Sequence, residues 1–178
     1  MRNEEEYRAL RATIRERGSM RIATFVVGIL VWSVSVIGTL FLQTPPAALL
    51  VPLLALAATF EGVLALHVGV ERIGRYLVVF HDDGWERAAG AFGRPAGSIA
   101  VDPLFTTVFL LAALLTLTPL VAVAGLRPEE LAGLGIAEGA FFARVAAAKI
   151  ACRRQRGVDT ERFNYLKASD RDTTTTRL

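Results

Sequence analysis

Thiols are nearly absent from this sequence. Its 178 residues include one cysteine, Cys152, so no internal disulfide can staple the chain. Histidine is almost as scarce, with only His67 and His81. Two histidines without paired cysteines do not make a structural zinc site. Lysine is limited to Lys149 and Lys167. No glycine-rich loop ends in Lys-Ser or Lys-Thr, which excludes a Walker-type phosphate loop. The glycines of Gly90-Ala91-Phe92-Gly93-Arg94-Pro95-Ala96-Gly97 have the wrong spacing for a dinucleotide fingerprint, and no strand precedes them. No Ser/His/Asp or Cys/His arrangement is visible. The basic stretches lack the interleaved aromatics and folded motifs of nucleic-acid modules. Accordingly no nucleic-acid partner, no cofactor and no catalytic residue is expected.

Charge is also missing, from long stretches. Hydrophobic residues make up 53% of the chain, and its mean hydropathy is +0.43. They are gathered into runs, not spread at core periodicity. Residues 22–42 carry no charge. A membrane-crossing helix needs about 20 apolar residues, so this run reads as a first span. It exceeds the roughly 7–15 residues of a signal-peptide core, and a second run follows at once, so an uncleaved anchor is expected. Gln43-Thr44-Pro45-Pro46 reads as a tight turn. Residues 47–70 form a second run, which contains Glu61. Residues 104–126 form a third, with Pro119 inside it and with Thr116 and Thr118 placed to satisfy the backbone groups a proline frees. Arg127-Pro128-Glu129-Glu130 reads as a turn and helix start.

Residues 131–152 are the ambiguous segment, because Glu138, Arg144 and Lys149 interrupt the apolar run. Each central charge costs about 2.5–3.5 kcal/mol on insertion scales. The distribution of basic residues decides the matter. Residues 1–21 hold six, residues 71–103 four and residues 153–178 seven, whereas the turns at 43–46 and 127–130 hold one between them. Four spans put every basic segment on the cytoplasmic side, whereas three would export one basic end. The expected fold is therefore all-α: a polytopic bundle of four transmembrane spans, built as two helical hairpins with both termini cytoplasmic. Three spans plus an amphipathic surface helix is the fallback.

The flanking segments complete the domain plan. Residues 1–21 read as a charged amphipathic head, helical by the spacing of Tyr7, Leu10 and Ile14, with Gly18-Ser19 as a candidate break. The second span is expected to continue as helix to about Phe80 and to break at His81-Asp82-Asp83-Gly84. Within the cytoplasmic loop 71–103, Trp85, Ala88, Ala89 and Phe92 suggest a short interfacial helix. The basic tail, 153–178, is expected to stay helical to about Lys167 and to end in a low-complexity threonine run. The arginine and alanine bias fits a high-GC bacterial genome and an inner-membrane location.

A few polar residues stand out against this background. Glu61 and Arg144 fall at nearly equal depth in spans that run in the same direction, which suggests an intramembrane ion pair. His67, Glu71 and Arg75 recur every four residues and form a polar stripe, more simply read as a salt-bridged helix end than as a proton path. His67, Glu71, His81, Asp82 and Asp83 are weak candidate metal ligands, with hard oxygen-preferring ions favoured. Cys152 reads as a plain small residue at the membrane edge. Small residues recur every three or four positions at Ala58, Gly62, Ala65 and Gly69, and at Gly135, Gly139, Ala143 and Ala147. That spacing lets helix backbones approach closely, within the chain or between copies. The leading functional expectation is a non-enzymatic structural or accessory membrane component that assembles through these faces. The expected partners are anionic inner-leaflet lipids and either a second copy or another membrane protein. A different class, an oligomeric channel or transporter, would use Glu61 in its path. A membrane enzyme with a His/Asp/Glu site at the cytoplasmic interface ranks lowest.

Overall fold

The computed structural model describes residues 2–42, 44–81, 84, 88, 103–122 and 127–175. Every element among them is helical: α1 (Arg2–Phe41), a 3-10 turn (Pro46–Leu49), α2 (Leu50–Phe80), α3 (Pro103–Thr116), a second 3-10 turn (Thr118–Ala122) and α4 (Pro128–Thr175). Three helical stretches, Glu4–Phe41, Pro46–Phe80 and Pro128–Ser169, are long and apolar enough to cross a membrane.

The charged head and the first apolar run are one helix. Gly18-Ser19 does not break it, because a single glycine costs only about 1 kcal/mol and the flanking turns are helical by their own spacing. Glu4 pairs with Arg8 at 2.6 Å, and Tyr7 accepts from Arg11 at 3.1 Å, both across one turn. The helix stops where prolines supply no N–H: Leu42 N–H reaches back to Gly38 O, and Pro45-Pro46 turn the chain. In α2, Pro52 sits in the first turn, where its missing donor has no intrahelical partner to lose. The helix ends at Phe80, with His81 N–H donating to Leu77 O.

The third apolar run departs from expectation. Over its described residues it is not one continuous α-helix: α3 has 14 residues and passes into the 3-10 turn. Pro119 is the cause. Its missing N–H would have bonded Leu115 O, and Thr118 Oγ1 donates to that carbonyl instead, at 2.8 Å. Leu120 N–H then bonds Leu117 O, a three-residue step. The tail departs in the other direction. It stays helical to Thr175, well past Lys167, so the threonine run is not a coil up to that point. At the start of α4, Arg127 N–H reaches Glu130 Oε2 while Glu130 N–H returns to Arg127 O, a reciprocal cap with Pro128 in the first helical position. The expected interfacial helix around Trp85, Ala89 and Phe92 lies outside the described residues, as do Asp82 and Asp83.

α2 is the central element. α1 runs antiparallel along it, and α4 runs parallel to it with a steady offset of 83 to 88 residues between partners. α3 lies against α1 and α2 through aromatic edges. Phe25 meets Phe105 and Phe109 at 4.8 and 5.7 Å, and Phe60 joins Phe109 to Phe141 at 5.3 and 6.0 Å. α4 packs chiefly along α2 and less against α3. The inward seam of α4 is Leu134, Glu138, Phe141, Val145, Ala148 and Cys152, all buried and spaced four, three, four, three and four residues apart. Cys152 is a buried free thiol in that seam, as a small packing residue would be.

Candidate functional site

Polar side chains that interrupt the apolar helices gather at three levels along α2. The lowest is a charged hub where the N-terminal half of α1 meets the C-terminal halves of α2 and α4. Glu71 accepts from Arg75 at 3.0 Å and from Arg156 at 2.8 Å. Asp159 accepts from Arg75 at 2.9 Å and from Arg72 at 3.4 Å. The Asp159 and Arg75 side chains are only 9% and 14% exposed, so these are charge-assisted bonds largely out of water. His67 links the hub to α1. An arginine only donates, so Arg21 Nη1 at 2.9 Å makes His67 Nδ1 the acceptor. The ring proton then sits on Nε2, which faces Glu71 Oε1 at 3.6 Å.

The expected stripe of His67, Glu71 and Arg75 is thus one edge of a network spanning three helices. Arg21, Asp159 and Arg156, which complete it, are far away in sequence. The same contacts bear on the candidate metal ligands. His67 and Glu71 are surrounded by guanidinium groups, which repel a cation. His81 lies about 21 Å further along the helix axis from His67, ringed by Tyr7 and Tyr76 at 5.6 and 6.0 Å. Beyond the hub, Tyr76 donates to Glu6 at 2.8 Å, which ties the head of α1 to α2. Partial burial, then the hydrogen bond to Glu6 and its negative charge, push the Tyr76 hydroxyl above its ordinary value of 10.0. Lys167 Nζ caps the end of α2 at Val79 O.

The second level holds Glu61 and Arg144. Arg144 Nη2 donates to Glu61 Oε2 at 2.7 Å, between α2 and α4. Each side chain is 47% exposed, so the pair lies on the outer face of the two helices and not inside them. Small residues surround it. Ala58 and Ala65 on α2 are exposed, as are Gly135, Gly139, Ala143, Ala147 and Ala151 along α4. A methyl group built on Gly135 or Gly139 would meet nothing within 4 Å. The α4 stripe therefore packs on nothing among the described residues. The α2 row divides: its alanines point outward, while Gly62 and Gly69 admit Thr24 and Arg17 of α1.

The third level was not singled out by the sequence. Glu138 is 5% exposed, and neither carboxylate oxygen has a hydrogen-bond partner. By the offset between α2 and α4 it stands level with Ala55. Thr59 lies opposite Gly28 and Gly62 opposite Thr24, so that level meets α1 near Trp32. Trp32 Nε1 donates to Thr116 Oγ1 at 2.9 Å, and Thr116 passes its own proton to Ala112 O at 3.0 Å. The signal that would have found Glu138 is the seam spacing. The residue falls four after Leu134 and three before Phe141, on the inward face.

Compared with family models, curated proteins and solved structures, the chain matches none.

Proposed function

We propose that the chain is a four-span membrane protein, with both termini on the cytoplasmic side, that assembles with a second copy of itself as a non-enzymatic structural component. The apolar surface supports the membrane. Ile22, Val26, Val27, Leu30, Val34 and Ile37 are all roughly half exposed along one helix, far more than a water-soluble monomer leaves uncovered. α3 is short as a helix, but 14 residues at about 1.5 Å and five more at about 2.0 Å extend it to roughly 30 Å, one hydrocarbon core. The basic segments then share one side, where they would meet anionic lipids.

The Glu61–Arg144 pair carries the assembly. It lies midway along an apolar surface, half exposed, in a band of alanine and glycine. Left against lipid, two such charges are costly even when paired. A second copy related by a two-fold axis brings the same pair to the same place, so each Arg144 reaches two carboxylates, and the small residues allow the close approach this needs.

The test is cysteine cross-linking in native membranes, in a Cys152→Ser background. Ala143→Cys and Ala147→Cys are expected to give disulfide-linked dimers, and Val34→Cys on the far face of α1 is not. Labelling at Thr44→Cys and Glu129→Cys from outside, with Tyr165→Cys reached only after permeabilisation, checks the topology in the same strains. Cross-linking at Val34 but not at Ala143 or Ala147 overturns the interface. External labelling of Tyr165→Cys overturns the four spans.

A further inference from the structure

Glu138 is a buried carboxyl group that neither the ion pair nor the hub uses. It occupies a seam position between Leu134 and Phe141, and its carboxyl group is buried with both oxygens unpartnered. The elements packed against α4 offer it no charge. The 3-10 turn and α2 carry no ionisable side chain from Pro46 to Phe60, and α3 with its 3-10 extension carries none from Phe105 to Leu120. The same holds for α1 from Ile22 to Phe41. On α4 itself the nearest ionisable groups are Glu130, eight residues before, and Arg144, six residues after, which is committed to Glu61. The neighbouring threonine hydroxyls are spent as well: Thr59 Oγ1 donates to Ala55 O and Thr116 Oγ1 to Ala112 O.

An ionised carboxylate with no cation and no donor does not persist in such surroundings, because the cost of desolvating it exceeds that of taking up a proton. A metal ion is no substitute, since no group of three or more His, Cys, Asp or Glu able to hold one occurs among the described residues. We propose that Glu138 is a proton-binding site in the interior of the bundle, whose ligand is the proton alone and which exchanges that proton with water. The site differs in kind from Glu61, whose carboxylate is held by a guanidinium.

The experiment uses the full chain in lipid vesicles at pH 7. Dicyclohexylcarbodiimide enters apolar regions and adds to protonated carboxyl groups. The carboxyl proton goes to a carbodiimide nitrogen, the carboxyl oxygen bonds the central carbon, and the adduct rearranges to an N-acylurea with nothing expelled. One adduct per chain is expected, on the peptide holding Glu138. It should be lost in Glu138→Gln and retained in Glu61→Gln. Infrared difference spectra give a readout on the unmodified protein. Wild type minus Glu138→Gln is expected to contain a protonated carboxyl C=O band that moves on transfer to heavy water. If the Gln variant fails to fold, Glu138→Asp, which shifts the band without removing it, takes its place. A carboxylate band at Glu138, an unlabelled Glu138 peptide, or a C=O band indifferent to heavy water each overturns the proposal. None of these readouts depends on Ala143 or Ala147 cross-linking, so this inference and the self-assembly reading fail separately.

Discussion

A methyl group added to Gly28 tests the crossing of α1 and α2 directly. Built on the backbone, the Cβ of an alanine there lies 2.6 Å from Thr59 Cβ and closer still to Thr59 Oγ1 and Cγ2. Carbon atoms do not approach so closely, and all three atoms belong to a β-branched side chain with little rotameric freedom, so the helices must separate. Overpacking of this kind costs about 1–3 kcal/mol. Against it stands the helix propensity of alanine, worth about 1 kcal/mol over glycine. The net expectation for Gly28→Ala is a loss of about 2 kcal/mol, taking the upper end of the overpacking range. Gly38 is the control on the same helix. Nothing lies within 4 Å of its Cβ position, so Gly38→Ala should gain up to about 1 kcal/mol. Thr59→Ala removes the two nearest atoms and loses only a bond to Ala55 O within its own helix. Together with Gly28→Ala it should therefore cost less than the two single changes added, by about 1 kcal/mol. Equilibrium unfolding in mixed micelles measures all four variants. If Gly28→Ala is as stable as Gly38→Ala, or if the double variant is simply additive, α1 and α2 do not cross at Gly28.

Other contacts give equally direct expectations. Asp159→Asn leaves Arg75 with Glu71 but without its second carboxylate, and should cost about 2 kcal/mol in the same unfolding assay. An unchanged midpoint would mean that the hub does not tie α4 to α2. Trp32→Phe removes the indole donor from Thr116 and should cost about 1 kcal/mol. Combining it with Thr116→Val should add little, whereas a fully additive pair would deny the bond. Ultraviolet titration should show one tyrosine ionising above the usual range. That component should vanish in Tyr76→Phe and move down in Glu6→Ala. The hydroxyl's proton is held more tightly in the folded chain, so this contribution to stability is full below pH 10.0 and is lost as pH rises further.

Hydropathy made the apolar helices legible, and proline chemistry made two of their ends legible. The break at Pro119 and its repair by Thr118 follow from sequence alone, because the freed carbonyl is always four residues back. The merging of the head with the first apolar run was harder to see. A change in polarity alters what surrounds a helix without altering its backbone, and Gly18 was too weak a breaker to separate the two. Gly28 left no trace at all, being one glycine in an apolar run. Its meaning lies in Thr59, which the sequence does not bring near it.

Glu138 and Glu61 were both visible as charges in apolar runs, and hydropathy assigns them the same cost. The structure treats them in opposite ways. Glu61 faces outward, half exposed, beside the Arg144 guanidinium. Glu138 faces inward among Phe141 and Val145, where no cation follows it. Direction made the difference, and direction is a matter of phase within the helical repeat. A glutamate in phase with Leu134, Phe141, Val145 and Ala148 must enter the core with them, since α4 cannot turn it out without exposing the rest of the seam. Pairing it would need a cation at the level of Ala55 on α2 or Trp32 on α1, and neither helix has one there. The sidedness of the two glutamates therefore predicts opposite chemistry at two levels about 9 Å apart along the helix axis. Glu61 should resist carbodiimide because a guanidinium holds its carboxylate, and Glu138 should react because only a proton can neutralise it.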